Sequence, residues 1–209
     1  MSYLENFNPP ALPEEAGSLH FQMYMGHLLN GRIIPKHLIR LLTTYIVTAD
    51  KAVRGYKAGC KRMEDCIKRR GNPIAAHIEA LGEFENCINS IKRAIRIFDL
   101  IVRQRDGIEF DRVKRGFVKK YGEKITPLRN AIEHIDQNLE GLQEGEAHLL
   151  VISRDGNNFE IGAHVFSVAE LGSAVALLYT VGVEILQTLP STPGLNFGPP
   201  VESHQVAQK

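Results

Sequence analysis

Apolar residues recur every three or four positions through most of this chain, so helix is the first expectation. A first helix is predicted from Pro13 to Leu29, stopped by Asn30-Gly31, a pair suited to a helix C terminus. Pro35 suits the opening of a long second helix, which places Leu38, Leu41, Leu42, Tyr45 and Ile46 on one face. That helix can reach Arg70, where Gly71-Asn72-Pro73 ends it. The next begins at Pro73 and carries Ile74, Ile78, Leu81, Phe84, Ile88, Ile91, Ile95, Phe98 and Val102 at the same steps, up to Asp106-Gly107. Two shorter helices are expected over Glu109–Tyr121 and from Thr126, read as an N-cap ahead of Pro127, to Leu142.

The period then changes. Leu149–Ser153 and Phe159–Phe166 read as two strands, and the Asp155-Gly156 step between them is a hairpin signal, placing a hairpin at about 149–166. Ser167-Val168-Ala169-Glu170 has the form of a capping box and opens a last helix through Leu189. Small residues on that helix (Gly172, Ser173, Ala174, Ala176, Gly182) predict close contact with neighbouring backbones. The fold class expected is mainly α: a helical bundle over residues 13–189 with one small β-hairpin inserted before the final helix. Residues 1–12 are expected to form a flexible N-terminus and 190–209, with four prolines by Pro200, a disordered tail.

Composition changes this picture little. With 44% hydrophobic residues in 209, there is enough apolar surface for a real core. The apolar run from Leu171 to Val183 falls short of the roughly 20 residues a membrane span needs, so it reads as a buried helix and no membrane association is expected. The first ten residues contain no apolar run of the secretory type. Cys60, Cys66 and Cys87 are odd in number and form no CxxC pair, which argues against a disulfide framework or zinc knuckle. Reduced thiols and a cytoplasmic location are the expectation.

Charge changes it more. The formal net charge is +1, yet residues 51–129 hold 20 Lys/Arg against 10 Asp/Glu, and the rest holds 5 against 14. A basic segment beside an acidic remainder can attract phosphates, or can be neutralised when the two halves fold together. The cations singled out as a sequence-indifferent RNA-backbone surface are Lys61, Arg62, Lys68, Arg69, Arg70, Lys114, Arg115, Lys119 and Lys120.

Several chemistries lack their residues. No Glu-x-x-His of the di-iron bundles, no HExxH or HxxxH, and no GxGxxG or GxxxxGK[ST] loop occurs. His20 and His27 share a helix face at i,i+7 but read as packing or surface residues, and Ser167 reads as a cap rather than a nucleophile. No metal and no cofactor are expected.

One segment remains, Leu128-Arg129-Asn130-Ala131-Ile132-Glu133-His134-Ile135-Asp136. Leu128, Ala131, Ile132, Ile135, Leu139 and Leu142 form a buried stripe on a helix, which leaves Arg129, Asn130, Glu133 and His134 outside it. Asn130 and His134 are four apart and share an edge; Arg129 and Glu133 have the spacing of an ordinary ion pair. Arg129-Asn130-x-x-x-His134 resembles the Arg-x4–6-His signature of HEPN domains, helical bundles that include metal-independent endoribonucleases of toxin–antitoxin, abortive-infection and CRISPR systems. The resemblance covers the six-residue motif and its helical setting, about Pro35 to Leu189. It implies Arg129 as the family arginine, Asn130 as the polar residue that follows it, and His134 as the catalytic histidine. It also implies a homodimer with two motif helices facing one another, RNA as substrate, and an antitoxin or other protein partner. Toxin members often continue as His-x-Tyr, where this chain has His134-Ile135-Asp136. The alternative to an enzyme is a non-catalytic helical dimer that binds RNA or a protein.

Overall fold

A computed structural model describes residues 6–23, 36–104, 109–134 and 147–188. Four long helices, α1 (Lys36–Ile67), α2 (Pro73–Val102), α3 (Arg112–Glu133) and α4 (Val168–Thr188), form a bundle. A three-stranded antiparallel sheet, β1 (Ala147–Ile152), β2 (Asn158–Gly162) and β3 (His164–Ser167), in the order β1-β2-β3, precedes α4. Residues 19–23 are also helical. The expected ends at Asn30-Gly31, Pro35 and Asp106-Gly107, the segment from Ile135 to Leu142, and the tail from 190 lie outside the described residues.

Successive helices run antiparallel, as their side-chain pairings show. Arg62 on α1 pairs with Glu79 on α2 at 3.0 Å, whereas Tyr45, earlier on α1, meets Phe98, later on α2, with ring centroids 6.4 Å apart. Lys114 and Lys124 on α3 pair with Glu184 and Glu170 on α4, again in opposite order. The long α1–α2 pair is held close by glycine: a Cβ on Gly55 would sit 3.0 Å from the Glu83 carbonyl, and one on Gly59 only 2.7 Å from the Phe84 ring. Phe84 is fully buried and touches Phe7, Tyr56 and Phe159, which joins the N-terminal segment, α1 and the sheet in one core.

The link between α1 and α2 explains itself locally. Arg69 adopts φ +52°, its amide bonds Cys66 O (3.2 Å), and the Arg70 amide bonds Asp65 O (2.8 Å). This is the Schellman closure, here with arginine where glycine is usual. Asn72 then caps α2, its Oδ1 accepting from the amides of Ile74 (3.0 Å) and Ala75 (3.2 Å), with Pro73 at the first helical position.

Residues 6–23 lie against the bundle rather than beside it. Phe7 belongs to the core, Tyr56 Oη donates to Pro10 O (2.8 Å), and Lys57 Nζ donates to the carbonyls of Pro13, Glu14 and Ala16 at 2.8–3.0 Å. Asp50, 2% exposed, accepts from the amides of Leu19 (3.3 Å) and His20 (2.7 Å), placing a carboxylate at the start of that helical segment.

Three expectations need correction. The helices expected over Glu109–Tyr121 and from Thr126 onward are one helix, α3, capped by Asp111 and continuous through Pro127. Thr126 is therefore no N-cap: its hydroxyl donates to Gly122 O and accepts from Lys92 Nζ. Burial outweighs the proline, since Val118, Gly122, Ile125, Leu128 and Ala131 all face the core along this one axis. Second, Phe159–Phe166 is not one strand. Gly162, at φ +54°, turns the chain so that Ile161 pairs with His164, and a two-strand hairpin becomes three strands. Third, only half of the capping box forms: Ser167 Oγ accepts from the Glu170 amide (3.0 Å), while the Glu170 carboxylate turns to Lys124.

At two of its small residues the apolar helix α4 has close neighbours, but they are side chains rather than the backbones expected. A Cβ on Gly172 would lie 2.6 Å from Tyr56 Oη, and one on Gly182 would lie 2.5 Å from Leu19 Cδ1. Over Val168–Gln187 this helix is long and apolar enough to cross a membrane, with half of that window buried within the protein.

Candidate functional site

The motif sits at the C-terminal end of α3. Leu128 and Ala131 turn into the core and fix the helix axially, so Asn130, Glu133 and His134 are exposed and Arg129 is half-buried at the flank. His134 is the C-cap residue, with φ −108° and ψ 25°, and its amide still bonds Asn130 O at 3.0 Å. The i,i+4 relation between Asn130 and His134 therefore survives to the last turn. Arg129 makes two contacts: an ion pair with Glu133, and a 3.5 Å hydrogen bond to Asn130 Oδ1. Its guanidinium is thus tied at one end to the motif's own amide and at the other to a carboxylate.

Asn130 and His134 line an open groove of about 770 Å³, with Glu123, Thr126 and Pro127 on α3 and His164 on β3. The groove runs over the proline-containing turn. Pro127 has no amide proton to give the Glu123 carbonyl, so one backbone hydrogen bond of the helix is missing at this turn. His164 was not foreseen. The signal that existed was the isolated Gly162 inside a strand-like run, which marks a bend.

The nine cations expected to hold RNA lie on or at the end of two different helices. They fall on α1 and its end (Lys61, Arg62, Lys68, Arg69, Arg70) and on the first half of α3 (Lys114, Arg115, Lys119, Lys120), with α2 packed against both helices. Five of them are in ion pairs: Arg62 with Glu79, Lys68 with Glu64, Arg70 with Asp65, Lys114 with Glu184 and Lys119 with Glu123. Lys61, Arg69, Arg115 and Lys120 are exposed and have no ion-pair partner among the described residues. Lys61 and Arg69 are on the α1 side and Arg115 and Lys120 on the α3 side.

A second polar groove, about 540 Å³, lies between α1 and α2. Lys51, Arg54 and Arg93 line it with Asn86, Asn89 and Glu83. None of these three cations was singled out from the sequence, because they are brought together only by the helix pairing. Among the described residues no group of three or more His, Cys, Asp and Glu is placed to hold a metal ion.

The three cysteines are free, with Cys66 and Cys87 buried and Cys60 half-buried. Burial pushes the Cys60 thiol up to about 12, only partly offset by a hydrogen bond with Tyr56. A thiol held protonated is a poor nucleophile, so these residues are packing groups. Comparison with protein-family models, with curated proteins and with solved structures gives no match for this chain.

Proposed function

We propose that this protein is a metal-independent endoribonuclease of the HEPN type, cleaving RNA through a 2′,3′-cyclic phosphate. The reading rests on the motif resemblance. The observation that carries it further is that Asn130 and His134 line one open groove, with Arg129 bonded to Asn130 beside it. The reaction needs a proton taken from the 2′-hydroxyl and charge stabilised on the phosphate oxygens. An imidazole, whose ordinary pKa is about 6.5, serves the first need. A guanidinium, charged and planar, serves the second. In this reading His134 is the general acid or base, Arg129 binds phosphate, and Asn130 orients Arg129. The protein works as a cytoplasmic homodimer in which two α3 ends approach one RNA, in a stress or phage-defence role with an antitoxin or other protein partner.

The competing reading is a non-catalytic dimer that binds RNA or a protein. What favours it is the Arg129–Glu133 ion pair, which occupies the guanidinium, and the pairing of five of the nine expected RNA-binding cations. Purified protein incubated with RNA in EDTA separates the two. The enzyme cuts, and both His134→Ala and Arg129→Ala lose cutting while keeping the wild-type melting temperature. Equal cleavage by wild type and His134→Ala removes the enzymatic reading. Salt-sensitive RNA association that is indifferent to His134 identifies the binding module.

A further inference from the structure

Cleavage of RNA by its own 2′-hydroxyl moves two protons at two places. One leaves the 2′-oxygen as it forms a bond to phosphorus. The other must reach the 5′-oxygen as its bond to phosphorus breaks. The electrons of the broken bond stay on the 5′-oxygen, and no oxidant or reductant is involved. A single imidazole is poorly placed to do both in one passage, because attacking and leaving oxygens lie on opposite sides of phosphorus.

The chain supplies a second imidazole at the same groove. His164 opens β3, and its register is fixed by pairing with Ile161 across the Gly162 turn. Side chains two apart on a strand share a face. Phe166, two residues on, is 2% exposed, so the His164 face is the one turned toward the helices, while Val165 is 62% exposed on the other face. β3 packs against α3, and His164 is exposed and lines the groove with Asn130 and His134.

We propose that His164 is the second proton-transfer group of this site, complementary to His134. This rests on the ribonuclease reading above. One imidazole, neutral, accepts the 2′-hydroxyl proton; the other, protonated, gives its proton to the departing 5′-oxygen, and water restores both. Thr126 and Asn130 line the same groove. Charged groups flank the pair from two helices. From α2, Lys92 donates to Thr126 in the groove wall; from α3 come Glu123, itself 3.9 Å from Lys119, and the Arg129–Glu133 pair at the flank, while the Lys124–Glu170 pair joins α3 to the start of α4. Both imidazoles come from one chain, so each protomer of the proposed homodimer carries its own pair.

The test is a set of pH–rate profiles in EDTA for wild type, His164→Gln and His134→Gln. Two substrates are used: an oligoribonucleotide, and the same oligonucleotide with sulfur in place of the bridging 5′-oxygen at the mapped cut. Sulfur leaves without a proton, so loss of the general acid matters little for it. Wild type gives a bell-shaped profile on the natural substrate. Each variant loses one limb and about a hundredfold or more in kcat/KM, the scale of general acid–base catalysis. Only one of the two variants recovers on the sulfur substrate. Full activity and both limbs in His164→Gln, with His134→Gln inactive, overturn the His164 assignment and leave the ribonuclease reading standing. No cleavage by wild type overturns that reading itself. Recovery of both variants, or of neither, also overturns the paired assignment. Should His164→Gln melt below the assay temperature, His164→Ala with added imidazole replaces it: restored cleavage supports the role, and none contradicts it.

Discussion

The close contact between α1 and α2 predicts opposite signs for one chemical change at three glycines. Glycine to alanine in a helix interior gains about 1 kcal/mol from backbone propensity alone. At Gly82 on α2 and Gly116 on α3 a new Cβ meets nothing within 4 Å, so that gain should appear in full. At Gly59 the same methyl would lie 2.7, 2.9 and 2.9 Å from three atoms of the Phe84 ring. That ring cannot swing away, because Phe159 stands 4.8 Å and Phe7 6.0 Å from it, centroid to centroid, and it is fully buried. Overpacking of this kind costs about 1–3 kcal/mol, and the rigid surroundings favour the upper end. Subtracting the propensity gain leaves a net loss of about 2 kcal/mol. For a chain of this size 1 kcal/mol moves Tm by roughly 2–4 °C. Gly82→Ala and Gly116→Ala should therefore melt about 2–4 °C above wild type, and Gly59→Ala about 4–8 °C below, followed by circular dichroism and checked by urea titration. A Gly59→Ala protein at least as stable as wild type would falsify the α1–α2 packing described above.

Other parts of the molecule give independent outcomes. Asp50→Ala leaves two amides at the start of the 19–23 helix without their acceptor and should cost about 2 kcal/mol in urea unfolding; a loss below about 0.5 contradicts the capping role. Glu133→Gln frees Arg129 from an exposed i,i+4 pair worth about 0.3–0.5 kcal/mol, so RNA affinity should rise by roughly twofold; weaker binding argues that Arg129 is not a phosphate contact. The Cys60 thiol, held near 12 by burial against an ordinary 9.0, has roughly a thousandfold less thiolate at pH 8. It should react with a disulfide reagent far more slowly in the native than in the urea-unfolded protein, and equal rates would show that the site is open.

What was legible in the sequence was what local rules decide. The 3.6-residue period sets α1, α2 and α4, Pro73 and Ser167 announce helix starts, and Asp155-Gly156 announces the first turn of the sheet. Thr126-Pro127 reads locally as a helix start, but the core contacts of Ile125, Leu128 and Ala131 carry one helix straight through it. Gly162 sits inside a run of strand-like residues, and its bend shows only in the pairing of Ile161 with His164. Arg129, Asn130 and His134 could be read as a group because they lie within one helical turn and a half. His164 could not, since it reaches the groove only through strand pairing. The same holds for the basic surface: Lys114 is neutralised by Glu184, seventy residues away, and Lys51, Arg54 and Arg93 meet only across two packed helices.

The most direct test of the account is the chemistry of the RNA ends produced by the purified protein in EDTA, read by mass spectrometry for wild type and His134→Ala. The account predicts 2′,3′-cyclic phosphate and 5′-hydroxyl ends from wild type and none above background from the variant. Ends bearing 3′-hydroxyl and 5′-phosphate, or identical products from both proteins, would contradict it.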